Sequence, residues 1–366
     1  MQRTVPPFRA DHVGSLLRPQ ALREARERHA RGEITADALR DTEDRAIEHI
    51  ISKQEAVGLQ SISDGEFRRS WWHLDFLWGL DGVERHVMDV GIAFAGLRTR
   101  NEGVRVVGKL GFSGHPMIEH FKFLKEHTRR TPKMTIPAPS ALYGRPMLTP
   151  IDRTLYSTLD EFFHDLGLAY RKAVRAFADA GCRYLQLDEV FIAMLCDPKY
   201  RAQMKERGDD PDYLGVAYGD LINAAVADIP SDMIVTMHLC RGNYKSTYMG
   251  AGGYEAVAEV LFERIKVHGY FMEYDTVRAG GFEPLKHLPK DRIAVLGLVT
   301  TKSGALESRD TIKRRIEEAA KFASLDQLCL SPQCGFASTE EGNILTEDEQ
   351  WAKLEMIVEI AGEVWR

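Results

Sequence analysis

The chain has 366 residues, 44% hydrophobic and 28% charged, the balance of an ordinary soluble globular protein, so disorder over its bulk is excluded. Its 48 basic residues are outnumbered by 54 acidic ones, a net charge of −6, which leaves no overall basic surface to recruit nucleic acid. Five cysteines argue against a disulfide framework and for a reducing, cytoplasmic setting; no apolar signal core follows Arg3, and no apolar run approaches the length of a membrane span.

Short apolar runs alternate with long amphipathic segments, the pattern of repeated βα units. A weak extended segment at 11–15 opens the series, followed by a helical pattern over 19–57 and a strand at 60–64. The connection 79–131 is longer than an ordinary βα loop, and within it 97–112 reads as a β-hairpin turning near Asn101-Glu102-Gly103. Then come a strand at 133–138, a helix at 159–180, a strand at 183–187, a helix at 212–227 and a strand at 233–238. A helix at 253–267, strands at 269–274 and 292–299, a helix at 308–322, a strand at 326–330 and a helix at 346–363 complete the chain. The run Lys313-Arg314-Arg315 lies beside acids and reads as a solvated helix face. Eight strands with interleaved helices predict an α/β fold: one (β/α)8 TIM barrel spanning residues 1–366, with the excursion at about 79–131 between strands two and three. No G-x-G-x-x-G follows the first strand, which lowers the case for an open dinucleotide-binding sheet.

In such a barrel the catalytic groups collect at the C-terminal ends of the strands. Those ends carry Val13-Gly14-Ser15, Asp64-Gly65-Glu66, Asp188-Glu189, His238-Leu239-Cys240, Glu273 with Asp275, Thr300-Thr301-Lys302 and Gln333-Cys334-Gly335. His238 and Cys240 are one residue apart, so on an extended strand they point the same way. Imidazole and thiolate suit Zn2+, and Glu273 and Cys334 from two other strand ends complete a tetrahedral set. An isolated H-x-C is more often a packed histidine beside a buried thiol; the second cysteine and the acid at matching ends shift the balance. Cys182 and Cys196 lie in apolar company and Cys329 lies inside a strand, so all three read as packing thiols.

With these residues assembled, the chain resembles the cobalamin-independent methionine synthase family, in particular its C-terminal catalytic barrel and the short single-barrel relatives. The resemblance runs from Phe8 to about Ala361 and rests on VGS at 13–15, SDGE at 63–66, LQLDE at 185–189, HLCRGN at 238–243, the Glu273 segment and LSPQCGF at 330–336. It implies zinc held by His238, Cys240, Glu273 and Cys334, and the amino-acid part of a homocysteine-like thiol held by Ser15, Glu66 and Asp188. Structural salt bridging is the alternative reading of the two acids. The reaction implied is transfer of a methyl group from a reduced folate, or another donor, to that thiol.

Two departures stand out. Where the family has a proton-donating histidine, this chain has Lys302, which reads either as the proton donor or as a binder of an anionic substrate group; His73 is the substitute donor. Only one barrel fits in the chain, whereas full-size members carry a second that helps hold the folate, which brings a different or protein-bound donor into play. A second function is an alkyl-thiol transferase or lyase of the epoxyalkane–coenzyme M transferase type, and a third is a non-catalytic, zinc-storing barrel. Phe67-Arg68-Arg69 and Trp71-Trp72 read as binders of a flat ring or anionic tail, or as a packed loop. Arg241-Gly242-Asn243 shapes the metal loop, and Trp365 is a candidate contact in a homodimer. Partners expected are therefore small molecules, with neither nucleic acid nor membrane.

Overall fold

The computed structural model describes residues 3–144 and 151–366. In chain order these form α1 (Gln20–Ala30), α2 (Ala36–Val57), β1 (Ser61–Ile62), α3 (Leu74–Leu77), β2 (Asp81–Val87), β3 (Ala93–Phe94), β4 (Leu97–Arg98) and β5 (Glu102–Gly111). Next come α4 (Pro116–His127), β6 (Thr131–Pro132), β7 (Met134–Pro137), α5 (Leu159–Asp179), β8 (Tyr184–Glu189), α6 (Phe191–Met194), α7 (Pro198–Glu206) and α8 (Pro211–Ala225). The last elements are β9 (Ile234–Leu239), β10 (Gly269–Glu273), β11 (Ile293–Val299), α9 (Arg309–Ala319), β12 (Leu328–Pro332) and α10 (Glu347–Val364).

Strands β7 to β12 lie side by side in chain order, all parallel, and β1 pairs in parallel with β6. The Lys133 N–H between β6 and β7 donates to Ile62 O at 2.8 Å, so these two pieces act as one barrel strand. The remaining barrel position is filled by the extended stretch 9–16. On one side Asp11 N donates to Leu330 O and Leu330 N to Arg9 O; on the other Leu16 N donates to Gly65 O at 3.1 Å and Ser63 Oγ to Gly14 O at 2.5 Å. The ring thus closes through 9–16, and the fold is the expected (β/α)8 barrel.

The expected strand at 11–15 is the seam of that barrel. It makes a single parallel bridge, Ala10 to Leu330, because side chains do the work that ladder bonds do elsewhere. The Asp11 carboxylate accepts from His12 N, Ser61 Oγ, Lys133 Nζ, Phe8 N and Tyr184 OH, and Lys133 Nζ also donates to His12 O. Asp11 and Lys133 are fully buried.

Strand parity then decides what lies in the lumen. Leu185, Leu187, Val235, Met237, Met272, Leu296 and Leu330 face the helices and join the large outer core. The opposite parity holds Val13, Phe271, Val295 and Cys329 low in the lumen. The same parity turns Asp188, His238 and Glu273 inward at the strand ends, with Asp188 beside His238 and His238 beside Phe271 in register, and Glu273 two residues beyond Phe271. The helices that cover the barrel are stopped and started by local chemistry: Thr35 caps α2 by accepting from Ala38 N, Gly58 closes it at φ 103°, and Thr346 and Glu349 form a reciprocal capping box on α10.

Several expected elements differ. The helix at 19–57 is two helices, broken where Gly32 turns at φ 73° and Thr35 starts a new cap. The helix at 253–267 is replaced by a 3-10 turn (Tyr254–Val257) and one π turn (Val260–Arg264). Tertiary contacts override helix propensity there, since the Tyr254 hydroxyl is pinned under β10, donating to Leu239 O and Glu273 O and accepting from Glu273 N. The hairpin at 97–112 has a different partner: β5 pairs antiparallel with β2, and the turn between them contains the small hairpin β3–β4. α4 also lies within the excursion and α7 precedes α8; neither was expected. Lys313 pairs with Glu363 and Arg315 with Glu318, the solvated helix face expected. Trp365 is 3% exposed, donates to Leu325 O and lies under the Arg9 guanidinium, so it packs on its own chain rather than offering a dimer contact.

Candidate active site

A cleft opens at the C-terminal end of the barrel. Ser15, Glu66, His73, Asp188, His238, Cys240 and Cys334 all line it. The excursion supplies a roof through Ile92, Phe94 and Thr99. Arg100 ties the roof down by pairing with Glu340, Glu341 and Glu102, and Trp71 Nε1 donates to Glu102 at 2.7 Å.

His238, Cys240, Glu273 and Cys334 each offer a ligand atom, and these atoms lie within 4.8 Å of one another. The Cys240 and Cys334 sulfurs are 3.5 Å apart, near the ~3.8 Å edge of a tetrahedron with ~2.3 Å metal–sulfur bonds. Among the described residues, neither buried ring nitrogen of His238 has a partner in good hydrogen-bond geometry, and only the Cys334 sulfur acts on it as a weak acceptor, a costly arrangement for an imidazole that binds nothing else. Two thiols, an imidazole and a carboxylate around one point are the donors that a borderline-soft metal ion takes, so the residues fit such an ion.

The cluster is electrostatically coupled. The Cys240 thiol, with His238 nearby, holds Cys334 well below the usual thiol range, and Cys240 is pushed up in turn, so the pair shares a proton. Burial presses His238 down, but the Cys334 sulfur and the Asp188 and Glu273 carboxylates more than offset it. Burial acts against ionised Glu273, and Lys302, Arg278 and Arg241 overcome that to keep it ionised. Among the described residues Lys302 Nζ is buried without a hydrogen-bond partner and is not part of the cleft wall; it is a charge beside Glu273, Asp275 and Cys240.

Glu66 and Asp188 form the acidic wall. Glu66 sits at φ 60°, a left-handed backbone that a non-glycine residue adopts at a cost of roughly 1–3 kcal/mol. The preceding Asp64 side chain fixes this turn by accepting from Glu66 N. Thr135 Oγ1 donates to Glu66 Oε1 at 2.8 Å, while Oε2 has no hydrogen-bond partner among the described residues. Burial, with Glu66 nearby, pushes Asp188 up to about 7 despite the neighbouring His238 and the hydrogen bond from Gln186. Arg69 pairs with Glu66 at 3.5 Å, yet burial still pushes both carboxylates up, so the pair can take up a further cation. Ser15 is held by the loop after Cys334, its carbonyl accepting from Phe336 N and its hydroxyl from Ala337 N.

His73 stacks on Trp72 with ring centroids 4.2 Å apart. The preceding residues are structural: Phe67 is core, Arg68 pairs with Glu43 and Asp44, and Arg69 reaches Glu66 and Thr135 O. Trp71 and Trp72 do reach the cleft. Arg241 holds the loop that follows β9, its backbone N–H donating to Glu273 Oε1 at 2.8 Å and its guanidinium lying over the Tyr254 ring. Missed from sequence were the roof residues, Phe191, Tyr244 and Met249 of the walls, and Arg278, which donates to Glu273 Oε2. The apolar run Gly91-Ile92-Ala93-Phe94 in the long connection carried a signal for the roof.

Glu189, next to Asp188, anchors the wall from behind by accepting from Phe191 N, Ile192 N and Ser140 Oγ. Burial pushes it up to about 7 from an ordinary 4.5, against those donors. The folded state therefore holds this proton more tightly, and the stability it lends is complete below the ordinary value and lost as pH rises through about 7. Glu189→Gln, nearly isosteric, is expected to remove on the order of 2 kcal/mol of that decline, read as a flatter pH dependence of urea unfolding than in the parent protein.

An α/β barrel with thiols, an imidazole and carboxylates gathered at its catalytic rim defines a metal-site enzyme as the class. The family model for the catalytic domain of cobalamin-independent synthases matches residues 8–363. The chain belongs to the cobalamin-independent methionine synthase family and is a methyltransferase. It is 51% identical to the uncharacterized protein YxjH of Bacillus subtilis over 98% of this chain and 95% of that one. A candidate vitamin-B12-independent methionine synthase from Listeria monocytogenes is 41% identical, covers 100% of both chains and superposes with a TM-score of 0.80. The 5-methyltetrahydropteroyltriglutamate–homocysteine methyltransferase of Bacillus velezensis is 22% identical over 90% of this chain but only 40% of its own length. No helix among the described residues is long and apolar enough to cross a membrane.

Proposed function

We propose that the chain is a zinc-dependent methyltransferase that moves a methyl group onto the thiol of homocysteine, or a close amino-acid thiol, to give methionine. The observation that carries this reading is the meeting of the cluster formed by His238, Cys240, Glu273 and Cys334, three of whose members line the cleft, with the acidic pair Glu66 and Asp188 on the same cleft. Zinc held by those four residues would supply the acceptor as a thiolate at neutral pH, where a free thiol of pKa ~8.5 is mostly protonated. Glu66 and Asp188 receive the substrate ammonium, and the turn at Ser15 receives its carboxylate. The roof of Ile92 and Phe94 keeps water from the reacting sulfur. His73, on the cleft wall, serves as proton donor to the departing methyl carrier, a reduced folate or another donor. Lys302 acts on Glu273 as a counter-charge. All 366 residues then serve one catalytic barrel, in a cytoplasm that keeps its thiols reduced.

An amino-acid thiol is favoured over a sulfonate thiol of the coenzyme M kind. Paired carboxylates recognise an ammonium, which such a thiol lacks, and among the described residues no lysine or arginine lines the cleft to meet a sulfonate. The test is metal content together with homocysteine-dependent methionine formation. Glu66→Gln is expected to raise the homocysteine KM about 10- to 100-fold, as the loss of one charge-assisted bond implies, with zinc content unchanged. Metal-loaded protein that methylates no thiol with any donor would remove the reading.

A further inference from the structure

Glu273 is the one member of the cluster already engaged by other groups through both its ligand atoms. Oε1 accepts from Arg241 N at 2.8 Å and Oε2 accepts from Arg278 at 3.2 Å, with Lys302 adding a third positive charge nearby. Arg278 follows β10 by five residues and its side chain is 10% exposed. The same guanidinium reaches Asp275 at 3.5 Å, donates to Gly250 O at 3.1 Å and lies over the Tyr248 ring at 4.3 Å. Tyr248 and Gly250 belong to the loop that follows Cys240, and Tyr248 O accepts from Ala95 N of the roof. Arg278 thus spans from the loop after Cys240 to the buried carboxylate.

We propose that Arg278 is a positioning residue that competes with the metal ion for the Glu273 carboxylate, making Glu273 the weakest of the four donors and leaving that position open to the substrate thiolate. The proposal rests on the zinc–thiol reading above. A carboxylate shared with a guanidinium attracts a second cation less strongly than a free one, whereas the two sulfurs and His238 have no such competitor among the described residues. Charge balance points the same way: a third thiolate joining two cysteine thiolates and a carboxylate would overload one divalent ion, and a guanidinium beside the carboxylate takes up the surplus.

The test measures two affinities on the full chain: zinc by chelator competition, and homocysteine by calorimetry on the zinc-loaded protein. Arg278→Met is expected to bind zinc about tenfold more tightly, because a competing cation is removed, and homocysteine about tenfold more weakly; tenfold is the lower end of the size, with the opposite sign for zinc, of the effect of an ordinary supporting group that strengthens its ligand. Arg278→Gln, which keeps a donor for Gly250 O without the charge, is expected to shift both affinities in the same opposed directions, and Arg278→Lys to restore them towards the parent values. A merely structural role would weaken both together or change neither beyond twofold, and either result overturns the proposal. A parent protein that takes up no zinc, or no homocysteine when loaded, overturns the functional reading itself and Arg278's part with it.

Discussion

Replacing His238 or Cys334 by alanine is expected to abolish methyl transfer by emptying the site. If zinc at a four-donor site is worth about 10–16 kcal/mol, one donor accounts for roughly 3 kcal/mol, so affinity should fall at least about 100-fold. Metal analysis after dialysis against a mild chelator would then find the parent loaded and either variant empty. Cys182, Cys196 and Cys329 are the internal controls, because all three are buried away from the cleft wall and burial pushes Cys182 and Cys329 up to about 12 and Cys196 to about 11, the signature of packed thiols. Their alanine variants should keep full metal content. A His238→Ala protein with normal zinc and activity would refute the assignment of the cluster.

The second large effect is on stability, at the opposite end of the lumen. Lys133→Met is expected to cost about 3–5 kcal/mol, because it strands the Asp11 carboxylate in a fully buried position, and breaking one side of a buried pair is far more damaging than removing both. Asp11→Asn combined with Lys133→Met should recover a large part of that loss in urea unfolding at pH 7. The rings beside the ammonium, Phe271 at 4.1 Å and Tyr184 at 4.9 Å, will accept a methionine side chain without leaving a void. If the single variant lost less than about 1 kcal/mol, the seam would not depend on this pair and its closure would have to come from the few backbone bonds alone.

The rim was legible in the sequence because a barrel strand has a fixed parity and a fixed functional end. Once 233–238 is a strand, His238 and Cys240 must face one way, and Glu273 and Cys334 follow from the neighbouring strands. What escaped reading depends on contacts across the chain. The stretch 11–15 has the residues of a strand but bonds through Asp11, Ser63 and Lys133 side chains, which no local pattern records. The amphipathic pattern at 253–267 is that of a helix, yet Tyr254 is claimed by the backbone of Leu239 and Glu273. In the excursion, β5 had a plausible turn at its start and so was paired with its immediate neighbour, whereas its partner β2 lies on the far side of the β3–β4 hairpin. Arg278 had no signal beyond being one more arginine after a strand, because its meaning comes from the loop that Gly250 and Tyr248 bring over it.

The backbone at Glu66 carries a conformational cost that folding alone does not call for. A glutamate at φ 60° is a poor choice for folding, since glycine takes that conformation freely and asparagine nearly so. A lineage released from recognising an amino-acid ammonium would gain stability by drifting to either residue at this position. Among proteins with this barrel and an intact metal cluster, glycine or asparagine at the position of Glu66 would therefore mark those that have exchanged an amino-acid thiol for a different acceptor.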